Sequence, residues 1–126
     1  MNFIKLTIVL ISVVFSSNVL AYGSGGSKKA CSKPKFTEFT PPKLTAVTPQ
    51  SNFSFKASSL TDPNSIEVSI KKQTIDVTID KKGRSYYVSG AIPASIKGNY
   101  ARIVITAKGT NNCAGSDGWL LKIETN

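Results

Sequence analysis

The chain has no histidine, and its 126 residues hold one methionine, one tryptophan and two cysteines. Without an imidazole, a Ser-His-Asp or Cys-His relay cannot be assembled, and zinc or copper loses its commonest ligand. The methionine is Met1, so thioether ligation is excluded from the body of the chain as well. Acid is also scarce: seven Asp and Glu stand against sixteen Lys and Arg, a formal net charge of +9 at pH 7. A paired-carboxylate hydrolase needs two acids facing one substrate. Asp76 and Asp80 are expected to share a strand face, yet they fall among Thr78, Lys81 and Lys82 as outward residues. A Ser-Lys pair is formally open, but no pair is singled out. Calcium gathers several carboxylates, and in the last loop it would find Asp117 with only Asn111 and Asn112 beside it. A Gly/Asn turn around Cys113 is the simpler account. The expectation is a protein that is not an enzyme and that holds no metal and no cofactor.

Long apolar runs are missing too, with one exception at the start. Lys5 precedes the run Leu6 to Phe15, polar Ser16-Ser17-Asn18 follows, and Val19-Leu20-Ala21 offers a signal-peptidase site. A spanning helix needs about 20 apolar residues, and this run is about half as long. The reading is a cleaved signal peptide over 1–21, with no transmembrane segment left afterwards. Tyr22 follows the cut, so the cysteine of a lipoprotein is absent from that place. The mature protein is expected to be periplasmic or secreted, in a bacterium. Residues 22–33, with Gly-Ser-Gly-Gly-Ser and then Lys28-Lys29, bring no apolar surface to bury and read as a flexible leader. Residues 34–126 remain as one small domain.

An even cysteine count in an exported chain argues for a disulfide, here Cys31 to Cys113. Metal ligation by the same two thiols would need partners that the chain lacks. In the chain-entropy account a bridge closing so long a loop stabilises by roughly 4.5 kcal/mol, comparable with the whole stability of a small domain.

What the chain does have is alternation. Phe53, Phe55 and Ala57 alternate with Ser54 and Lys56; Ile66, Val68 and Ile70 alternate with Glu67 and Ser69. Ile75, Val77 and Ile79 follow the same rule, as do Ile103, Ile105 and Ala107, and then Trp119, Leu121 and Ile123. Period two with one apolar face is the pattern of half-buried antiparallel strands. Pro41-Pro42, Thr48-Pro49, Asp62-Pro63-Asn64, Lys82-Gly83 and Pro93 to Gly98 supply the breaks. Ser85 to Ser89 adds a strand whose facing is open, and Phe36 to Phe39 and Leu44 to Val47 add short ones. The fold class is all-β: an antiparallel sandwich of about seven strands with one disulfide, a small barrel being the alternative.

The segment from Ile92 to Asn99-Tyr100, followed by Ile103, Ile105 and Ala107, resembles the E-to-F region of fibronectin type III and bacterial immunoglobulin-like domains. The opening Phe39-Thr40-Pro41, Thr48-Pro49 and Phe53-Ser54-Phe55 is similar to theirs as well. The resemblance implies an immunoglobulin-like sandwich in which a tyrosine hydroxyl caps a corner. The parity after Tyr100 departs from that pattern, since Arg102, Val104 and Thr106 hold the positions that should point inward. Either a bulge follows Tyr100 or Tyr100 faces solvent. The cysteines differ as well, and should pin the N-terminal lead to the loop between the last two strands.

Two surfaces are candidates for contact. Lys71, Lys72, Lys81, Lys82 and Arg84 flank the run Thr74 to Asp80 and suggest a basic edge for an anionic partner, or simple edge protection. The loop Lys108 to Trp119, with Asn111, Asn112 and Asp117, suggests a contact loop on a rigid scaffold. The expected function is an exported, monomeric binding or accessory module acting through these loops and this edge. Its partner would be a protein or an anionic envelope polymer, with no nucleic acid expected. The alternatives are an envelope-assembly subunit using edge-strand pairing and a small inhibitor of an exported hydrolase with the Cys113 loop as its wedge.

Overall fold

The computed structural model describes residues 30–124. The expected signal peptide and the leader up to residue 29 lie outside the described residues. Nine strands form: β1 Phe36–Thr40, β2 Ala46–Val47, β3 Asn52–Ala57, β4 Glu67–Ile70, β5 Gln73–Ile75, β6 Thr78–Lys82, β7 Ser85–Ala91, β8 Tyr100–Lys108 and β9 Ala114–Ile123. They make a four-stranded sheet, β1-β3-β7-β6, and a five-stranded sheet, β2-β9-β8-β4-β5. Seven of them follow the strand order of immunoglobulin constant-type domains, with β2 and β5 added at the margins. All pairings are antiparallel except β2 with β9, which is parallel.

Each alternating run delivers its apolar set to one core. Phe53, Phe55, Val68, Ile70, Val88, Ile103, Ile105 and Leu121 are fully or almost fully buried. Trp119 is 4% exposed. Its Nε1–H donates to the Pro41 carbonyl at 2.8 Å, which satisfies the one polar atom that burial would otherwise strand. The rings of Phe39, Phe53 and Phe55 surround it, with centroids 4.7, 6.1 and 6.2 Å away. A bulge in β1 between Thr37 and Thr40, with Glu38 at φ 55°, lets Phe36 and Phe39 face inward despite their odd spacing.

Three expectations change. Thr74 to Asp80 is not one strand: Ile75 ends β5 in the second sheet, and Thr78 begins β6 in the first. The alternation of Ile75, Val77 and Ile79 survives because both sheets look onto the same core. Asp76 lies in the crossing and Asp80 on β6, so they do not share a strand. The second change concerns Tyr100, which is 47% exposed. The β8–β9 register runs without a shift from Tyr100↔Lys122 to Lys108↔Ala114. No bulge rescues the corner, and the corner analogy fails. Third, the supposed loop from Lys108 to Trp119 is mostly β9, because that strand begins at Ala114.

Two outcomes test this packing. Ile103→Ala should lower stability by about 2–5 kcal/mol through the cavity it leaves, read as a shifted urea midpoint of Trp119 fluorescence. Cys31 and Cys113 are bridged, 82 residues apart in sequence. Reducing the bridge should cost about 2–4 kcal/mol while far-UV circular dichroism stays that of a β-protein at low denaturant.

Candidate functional site

The disulfide end is a staple rather than a loose loop. The Ser32 N–H donates to Thr110 Oγ1 at 2.9 Å, and the Thr110 N–H returns a bond to the Ser32 carbonyl at 3.1 Å. Asn111 Nδ2 donates to the Ala30 carbonyl at 2.6 Å. The lead runs so close to the β8–β9 turn that a Cβ on Gly109 would strike the Ser32 carbonyl and the Leu60 side chain. Asn111 and Asn112 sit at φ 52° and 59°, a left-handed backbone that asparagine tolerates better than most residues. Their side-chain type is explained by the turn. Asp117 Oδ1 accepts the Gly118 N–H at 2.7 Å, on the margin of β9 that no strand covers. Of the four expected contact residues, Lys108 alone lines an open cleft. That cleft, ≈ 460 Å³, is walled by Lys33, Pro34, Ser65 and Glu67 and floored by β8 and β9.

The five residues of the expected basic edge do not come together. Lys71 and Lys72 form the two-residue β4–β5 turn. Lys81, Lys82 and Arg84 surround the β6–β7 turn. Because β5 and β6 run on in one direction, these turns lie at opposite ends of the sandwich. Lys81 and Lys82 lean over the rings of Tyr86 and Tyr87, at 6.0 and 5.3 Å from the centroids, a weakly favourable contact for an exposed cation.

The outer face of the first sheet is polar. Thr40, Asn52, Ser54, Asp76, Thr78 and Ser89 line a shallow depression of ≈ 540 Å³ there. Near it, Lys56 pairs with Glu38 at 3.2 Å. The Glu38 carboxylate, by its hydrogen bond and then its charge, holds the Lys56 ammonium above its ordinary range. The pair's contribution is therefore full below the ordinary lysine range and is lost as pH rises through the raised value. Among the described residues this is the one ion pair formed. No group of three His, Cys, Asp or Glu gathers among them as metal ligands would. No helix among them is long and apolar enough to cross a membrane.

The outer face of the second sheet is different, and sequence reading missed it. Parity sends Tyr100 and Arg102 outward from β8, opposite Lys122 and Leu120 on β9. Ile70 pairs with Ile103, and Lys71 follows it into the β4–β5 turn. Lys71 Nζ in turn donates to the Lys97 carbonyl. Arg102 and Lys122 thus share one outer face with an exposed tyrosine. The available signal was the offset parity after Tyr100, which placed Arg102 on the outside.

No known family pattern matches the chain, and no curated protein matches it either. Among solved structures it is similar to CopC from Methylosinus trichosporium OB3b, with a TM-score of 0.54 and 6% identity over 72% of this chain and 93% of that one. It is likewise similar to the GspB Siglec domain, with a TM-score of 0.54 and 14% identity over 75% of this chain and 59% of that one. At such identities the likeness is one of fold, the immunoglobulin-like β-sandwich, and it brings no ligand with it.

Proposed function

We propose that the protein is an exported, non-enzymatic binding module that holds an anionic polymer of the cell envelope by ionic contact. One observation carries this reading: of the cations among the described residues, Lys56 alone is paired with a carboxylate. A chain of net charge +9 thus presents unneutralised ammonium and guanidinium groups on a rigid body. Such a surface attracts and retains polyanions, with an affinity that salt weakens. The signal-like first 21 residues and the Cys31–Cys113 bridge fit an oxidising compartment, where envelope polymers are met. Strand-pairing assembly finds poor edges here, with β5 only three residues long and Asp80, Lys81 and Lys82 along β6. The inhibitor reading needs a protruding wedge, and the turn at Cys113 is short, with Cys113 itself buried.

Titration of the disulfide-bonded protein with fluorescent polygalacturonate, dextran sulfate and neutral dextran tests the reading. Both polyanions should bind and dextran should not, and affinity should fall by about tenfold or more between roughly 50 and 200 mM salt. Equal binding of charged and neutral polymers, or no binding at low salt, removes it.

A further inference from the structure

We infer that the polymer is an acidic polysaccharide and that it is held on the outer face of the second sheet, around Tyr100. This rests on the polyanion reading above and adds to it a place and a chemical class. The place follows from convergence. Tyr100 is flanked across the ladder by Lys122 and along its own strand by Arg102, and Lys71 follows the Ile70–Ile103 rung into the β4–β5 turn, where its Nζ donates to the Lys97 carbonyl. None of the cations Lys71, Arg102 and Lys122 is in an ion pair. Glu124, the nearest acid along β9, stands at the rim and pairs with none of them.

The backbone tells the same story. Lys71 and Lys72 occupy the turn at φ 51° and 67°, where Asn-Gly would fit a two-residue hairpin at lower cost. Leu44 takes φ 67° while 48% exposed, and its N–H reaches the Leu120 carbonyl at 2.6 Å. Leu44 and Tyr100 are the exposed large hydrophobics among the described residues, and both flank β9 at this end.

The class follows from the mixture. Guanidinium and ammonium groups bind carboxylates, Arg102 in a two-pronged fashion. The exposed phenol ring beside them gives a sugar ring a flat apolar surface for its C–H face. Arg102 and Lys122 stand diagonally across the β8–β9 ladder, roughly 7–8 Å apart, so two acid groups along one polymer can each meet a partner. A second copy of this chain would set like charges against each other. An anionic lipid surface would gain little, because a flat face offers only Leu44 and Tyr100 to insert.

The experiment is an NMR titration of the labelled, disulfide-bonded protein with an oligogalacturonate, repeated with inorganic polyphosphate and with vesicles of phosphatidylglycerol in phosphatidylcholine. The largest amide shifts should fall at Tyr100, Arg102, Leu120 and Lys122. The R102A/K122A double variant should weaken oligogalacturonate by about tenfold or more, and K81A/K82A should leave it unchanged. Tyr100→Ala should weaken the oligosaccharide several-fold but polyphosphate hardly at all, and Tyr100→Phe should restore it. These side chains point outward, so unchanged Trp119 fluorescence confirms folding of each variant. Oligogalacturonate binding that K81A/K82A abolishes and R102A/K122A does not overturns the site while sparing the polyanion reading. Polyphosphate or vesicle binding without oligogalacturonate binding overturns the class. Failure of every anion at low salt overturns both.

Discussion

The alternation of β8 is the constraint on which the molecule turns. Burying Ala101, Ile103, Ile105 and Ala107 obliges Tyr100, Arg102, Val104 and Thr106 to point the other way, because side chains in a strand alternate without exception unless a bulge intervenes. No bulge interrupts the nine pairs of the β8–β9 ladder. Core and outer face are therefore two halves of one decision. A single-residue slip would expose four isoleucine- or alanine-bearing rungs and drive an arginine inward, at a cost far beyond the stability of a small domain.

That coupling explains which parts of the fold are legible in the sequence. Runs such as Phe53-Ser54-Phe55 or Ile103-Val104-Ile105 declare their inward members, since burial on one face is the force that selects them. Sheet membership leaves no such mark. Ile75, Val77 and Ile79 keep an unbroken period while the chain passes from one sheet to the other, because the core lies between the sheets and either one offers the same apolar surroundings. The start of β9 was hidden for the opposite reason: Ala114, Gly115, Ser116 and Asp117 line a margin with little to bury, and composition alone resembles a loop. The two-residue β2 is held by pairing with Lys122 and Ile123, information that resides in β9 and not in Ala46-Val47.

The candidate site shows the same limit. Charges adjacent in sequence, Lys71-Lys72 and Lys81-Lys82, looked like one patch and are placed at opposite ends by the direction of β5 and β6. Charges remote in sequence, at 102 and 122, become neighbours through ladder register. Pairing alone creates that proximity, so no window along the chain could display it. The asparagines of the last turn and the aspartate of β9 run the other way: they looked available and are occupied, by left-handed backbone and by bonds to Ala30 and Gly118.

The Asp117 carboxylate has a wider consequence. By taking the Gly118 amide hydrogen for itself, it removes a donor from the stretch of β9 that has no strand on its far side and leaves a negative charge in its place. An incoming strand would lose a rung there and meet an acid it must desolvate. Crowded together at high concentration, copies of this sandwich find no inviting seam along this margin on which to zip into fibres.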